Sequence, residues 1–125
     1  MDALQGLVGG ADPELSLHLE TQGLKPILYA MRWVTLMLSQ EFALPDVLRL
    51  WDSILAQEEA RRLEFLLHLC CGMVLRLREE LLAGDFADNL TLLQSYPRNL
   101  DVEELVFLAK HLQSVALCDE RRASA

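Results

Sequence analysis

The sequence predicts an all-α fold, a bundle of about six helices, and three observations carry that expectation. Apolar residues recur at helical spacing along most of the chain. Helix start and stop signals punctuate it in order, and no segment alternates polar and apolar residues between hairpin turns. No internal period of about 20–50 residues marks a repeat protein.

Residues 1–11 hold Gly6, Gly9 and Gly10 and read as a flexible N-terminal tail. Asp12 is placed to cap a first helix that begins at Pro13 and stops at Gly23. Ile27, Ala30, Met31, Val34, Met37 and Leu38 then share one face of a second helix, and Leu28, Tyr29, Trp33 and Leu36 fill most of the remainder. Only Arg32, Thr35 and Ser39 are polar, so this helix is expected at the centre of the fold.

Leu44-Pro45 marks a turn with Pro45 as first helical residue, and Val47, Leu50, Trp51 and Ile54 form the inward face of the helix that follows. Ala60 to Leu82 reads as the longest helix, with Glu64, His68, Gly72, Arg76 and Glu79 on one less apolar stripe that exposes His68. Gly72 there either allows a close backbone approach by a neighbour or is simply tolerated. Gly84 ends that helix, Asp85 caps the next, and Tyr96-Pro97 stops it. Asp101 with Glu104 opens the last helix in the manner of a capping box, and residues 119–125 are expected to fray, leaving 12–118 as the folded unit.

Several motifs in the central stretch carry a family resemblance. Arg32-Trp33, Glu41-Phe42 and Leu50-Trp51-Asp52 stand in the order and spacing of an RW…EF…LWD signature, with Gly23-Leu24-Lys25-Pro26 before them and Leu92-Leu93-Gln94-Ser95-Tyr96-Pro97 after. From about Asp12 to about Leu112 the chain resembles the C-terminal half of the TBC domain, the all-helical domain of Rab GTPase-activating proteins. The resemblance implies a Rab-family small GTPase and the N-terminal half of a TBC domain as partners. It also implies vesicle trafficking as the setting, with the protein cytoplasmic and reaching membranes through its partners.

In that family an arginine and a glutamine, carried by IxxDxxR and YxQ motifs of the N-terminal half, enter the GTPase active site. Neither motif occurs here: Asp46-Val47-Leu48-Arg49 has Ala43 in the isoleucine position, and Tyr96 is followed by Pro97 and Arg98. No catalytic residue is therefore assigned, and the chain alone is expected to be inactive. A non-catalytic helical interaction module or adaptor is the alternative, and Phe107, an aromatic on an otherwise polar helix face, is the candidate interface residue.

Composition narrows the classes further. A net charge of −8 argues against nucleic acid, which needs clustered Lys and Arg. A hydrophobic share of 52% exceeds what one soluble domain of this size requires, which points to a partner surface. Three cysteines fit no disulfide framework, and Cys70, Cys71 and His68 lack metal-ligand spacing, so neither cofactor nor metal is expected. No leader-like N-terminus is recognised, and the uncharged run Phe65 to Leu75 falls short of the roughly 20 residues a bilayer demands.

Overall fold

The computed structural model describes residues 2–97 and 100–124, with side chains for 3–97 and 100–118. Among these residues there are eight α-helices and no strand: α1 (Asp2–Ala11), α2 (Pro13–Thr21), α3 (Ala30–Thr35), α4 (Leu44–Leu55), α5 (Arg62–Leu75), α6 (Arg78–Ala83), α7 (Phe86–Gln94) and α8 (Val102–Ser124). Two short 3-10 turns, Pro26–Leu28 and Glu59–Arg61, precede α3 and α5.

The bundle is built around α5, which packs against α1, α3, α4 and α8. Phe65, Leu66, Leu69, Cys70, Met73 and Val74 are all buried, because an apolar run this continuous leaves no solvated face. At Gly72 an added Cβ would lie 3.0 Å from Leu105 Cδ1 and 3.4 Å from Leu108 Cδ2. The small residue thus lets α8 cross close to α5, as expected.

The helix placed at the centre by its composition lies instead at one side. It is only six residues long, and Ala30 and Trp33 are buried while Ile27, Leu28, Met31 and Leu36 are exposed. It ends early because the chain turns at Met37 and Leu38, both in the left-handed region at φ 49° and 65°. Neither is glycine, so nothing in the composition announces the turn.

Residues 2–11 form a helix, not a flexible tail. Leu4 and Val8, one turn apart, bury against α2 and α5, and that packing outweighs the poor helix propensity of three glycines. The expected 60–82 helix is divided at Arg76 and Leu77, where Leu77 N–H bonds back to Val74 O in a 3-10 step. The last helix continues past Cys118 to Ser124, so the fraying expected over 119–125 is not seen in its backbone; Ala125 lies outside the described residues.

Local capping follows the sequence. Asp12 accepts from Leu15 N–H, and Asp85 from Asp88 N–H. Gly23, at φ +75°, closes α2 with Leu24 N–H bonded to Leu19 O. Asp101 accepts from Glu103 N–H, whereas Glu104 turns away to Arg76 instead of completing a capping box. Pro45 sits one residue later than expected, since Ala43 precedes the helix and Leu44 opens it.

Candidate functional site

The signature residues assemble around the turn between α3 and α4. Leu36 to Phe42 leave the helix, so their polar groups need partners from elsewhere. Leu38 N–H bonds to Trp33 O at 2.8 Å, and the Met37 carbonyl accepts from Trp51 Nε1, also at 2.8 Å. Leu38 and Leu50 are fully buried beneath this turn.

Arg32 takes Glu41, and not Asp52, as its carboxylate partner. Its Nε donates to Glu41 Oε1 at 3.2 Å, and its Nη2 donates to the Gln94 carbonyl at 2.6 Å, tying α3 to the C-terminus of α7. Asp52 lies exposed on α4. The pair is asymmetric: the Arg32 side chain is 50% exposed and that of Glu41 is fully buried, with Oε2 unbonded among the described residues. An arginine half in water holds a carboxylate that is not.

Trp33 is fully buried beneath an aromatic cluster. Its ring meets Tyr29 edge-on at 5.1 Å and Tyr96 at 5.6 Å, and Phe42 lies 5.8 Å from Tyr96. Tyr96 OH donates to Met73 O, which anchors the cluster on α5. Tyr96 and Gln94 stand in the Leu92–Pro97 motif of the resemblance, but the sequence marks neither the ring role of Tyr96 nor the bond from Gln94 Nε2 to Leu28 O.

Phe107 stands apart from this assembly, 76% exposed on α8. One turn before it, Glu103 takes both Nε and Nη2 of Arg49 from α4. Arg49 is thus engaged in joining two helices. His68, expected on an exposed stripe, is buried; the Glu64 carbonyl satisfies its Nδ1 within the same helix, while Nε2 has no partner among the described residues.

The chemistry available is that of a scaffold. Burial pushes the Cys71 thiol up to about 12 and the Cys70 thiol higher still, so neither is a nucleophile near neutrality. Burial likewise raises the Tyr29 and Tyr96 phenols. Among the described residues no group of His, Cys, Asp and Glu is arranged to hold a metal ion, and no helix is long and apolar enough to cross a membrane.

This is an all-helical domain whose Arg-Trp helix is tied to a buried glutamate, with a second tryptophan bonded to the turn that follows that helix. Residues 1–82 match the Rab-GTPase-TBC domain family, and the chain belongs to that family. It is 48% identical over 113 residues to TBC1 domain family member 13 of Homo sapiens, covering 90% of this chain and 28% of that protein. It is 31% identical over 112 residues to the GTPase-activating protein gyp1 of Schizosaccharomyces pombe (strain 972 / ATCC 24843), covering 84% of this chain and 22% of that one. The crystal structure of the Ypt/Rab-GAP domain of Gyp1p superposes with a TM-score of 0.77 at 27% identity, covering 87% of this chain and 34% of that chain. The chain therefore spans about a third or less of these relatives.

Proposed function

We propose that this chain is the C-terminal portion of a GTPase-activating protein for Rab-family small GTPases, supporting the catalytic half and adding contacts to the GTPase. The observation that carries the reading is the role of the signature residues. Arg32 pairs with Glu41, the Trp51 indole bonds to backbone, the rings of Trp33 and Phe42 pack on Tyr96, and Leu50 is buried beneath them. They hold a shape and offer no reacting group.

Catalysis then belongs to the other half. A GTPase-activating arginine offsets charge on the transferring phosphate, worth about 10³ to 10⁵ in rate. Without IxxDxxR and YxQ in these residues, the chain alone supplies no such group. Single-turnover GTP hydrolysis across a Rab panel tests this: no acceleration is expected from the 125-residue chain, and acceleration of about 100-fold or more overturns the reading. The cytoplasmic, vesicle-associated setting follows from the same reading.

A second reading, a non-catalytic interaction module, draws on the exposed Leu44, Leu48 and Leu55 of α4 together with Phe107. It requires these residues to bind a partner unrelated to GTPases.

A further inference from the structure

Helix α4 is apolar on two sides. Val47, Leu50 and Ile54 are buried where it packs on α5 and α8, while Leu44, Leu48 and Leu55 stand 70%, 51% and 57% exposed. Together with the partly buried Trp51 these leucines are spaced four, three and four residues apart, the step that keeps one apolar stripe in line along a helix. Such a stripe is read by a second helix lying along it.

The order of the stripe says which helix. Leu44 and Leu55 are equally far from a midpoint between Arg49 and Leu50, and so are Leu48 and Trp51. Turned end for end, the pattern falls on itself, which is what a two-fold interface demands of a single surface. In an antiparallel pair each Leu44 meets Leu55 of a second copy, and each Leu48 meets its Trp51, whose indole is already fixed by the bond to the Met37 carbonyl. The charges agree with this direction. Arg49 is occupied by Glu103, and exposed Asp52 stands level with Val47 of the other copy, whereas a parallel pair would set the two Asp52 carboxylates side by side.

We infer that α4 is the contact surface of a two-fold dimer of this chain, antiparallel about the middle of Leu44–Leu55. The 12 residues of α4 rise about 18 Å, and one helix pair of that length buries less than the roughly 1,200–2,000 Å² of a stable complex. The dimer is therefore a weak one, formed in the micromolar range. It needs neither a GTPase nor a catalytic group, so GTP hydrolysis tests the function proposed above and association tests this surface.

Sedimentation equilibrium of the 125-residue chain should show a concentration-dependent dimer that added salt strengthens, because each copy carries a net charge of −8. L48E should weaken it about ten-fold or more, since a charge would be buried without a partner, and L48S takes its place if the glutamate variant does not fold. L28E/M31E and Phe107→Ser should leave the dimer intact. The register has its own readout: L44E and L55K should each impair association alone and restore it when mixed, because only the antiparallel pair sets those two positions against each other, and L44E mixed with L44K should restore nothing. A chain that stays monomeric through the micromolar range overturns the inference. So does association lost through L28E/M31E or Phe107→Ser and kept in L48E, rescue by L44E with L44K in place of L44E with L55K, or a dimer that salt weakens.

Discussion

The Trp51 indole donates to the carbonyl of Met37 at 2.8 Å, and that carbonyl is free to accept because Met37 has left the helix with φ 49°. One tryptophan of the signature thus stabilises a backbone turn that bulky residues rarely adopt. Trp51→Phe keeps an aromatic side chain but removes the indole N–H donor together with the second ring. It should cost about 1–2 kcal/mol, the loss of a bond to a carbonyl left partly buried, read as a shift of the urea midpoint at unchanged slope.

Arg32→Ala should destabilise the chain by about 1–3 kcal/mol, because it strands a fully buried Glu41 carboxylate. The larger cost of breaking a fully buried pair does not apply, since Arg32 is half in water. Adding Glu41→Gln to the variant should recover part of the loss by removing the stranded charge. A double-mutant cycle in urea measures this, and purely additive losses would refute the pairing's role.

Gly84→Ala should be among the most damaging small substitutions. A Cβ there would sit 2.3 Å from Asn89 Oδ1, and Asn89 is held by bonds from its Nδ2 to Gln22 Oε1 and to the Leu81 carbonyl. Shifting it orphans buried polar groups, a cost of about 2 kcal/mol or more. Asn89→Ala in the same background should shrink the cost of Gly84→Ala without abolishing it, because the Glu80 carbonyl would still lie 3.2 Å from the added Cβ; thermal unfolding of the three variants reports this.

Gly84 also shows how far the sequence was legible. It reads as a helix stop, and α6 does end there, yet its φ of −93° needs no glycine; the space taken by Asn89 does. Caps at Asp12 and Asp85 and the stop at Gly23 were readable because each is a local hydrogen-bonding device. A charge on an apolar helix needs a carboxylate, and the turn after the helix is what makes Glu41 the partner of Arg32. The turn at Met37 and Leu38, the break at Arg76 and the helix at residues 2–11 were not readable. Each is imposed by tertiary contacts against local propensity, as when Leu4 and Val8 fold a glycine-rich segment onto α5. His68 misled because its own helix supplies the partner that burial requires.

Acid sensitivity should trace in part to Asp12. Burial alone would raise its carboxyl, but the Leu15 N–H and the Arg78 guanidinium outweigh that and hold it below the ordinary value of 3.8. A depressed folded-state value means the contribution is fully present above the unfolded value and is lost as pH falls through the folded one. Asp12→Asn should therefore flatten the decline in stability below about pH 4; Asn still caps the helix, so what is lost at neutral pH is the charge pairing with Arg78. Urea titrations at a series of pH values check the slope, and an unchanged acid limb would exclude Asp12 as a source.

Phe107 offers the cleanest separation of stability from association. At 76% exposure its ring has little burial to lose, so Phe107→Ser should change unfolding free energy by no more than about 0.5 kcal/mol. If exposed Leu28 and Met31 dominate the apolar surface of the isolated chain, binding of a hydrophobic dye should persist in Phe107→Ser and fall in L28E/M31E. If α8 is instead the main sticky face, dye binding and micromolar self-association, followed by sedimentation, should both collapse in Phe107→Ser. That outcome would favour the interaction-module reading, because the exposed ring lies on α8 one turn after Glu103, the partner of Arg49, and outside the Arg-Trp signature.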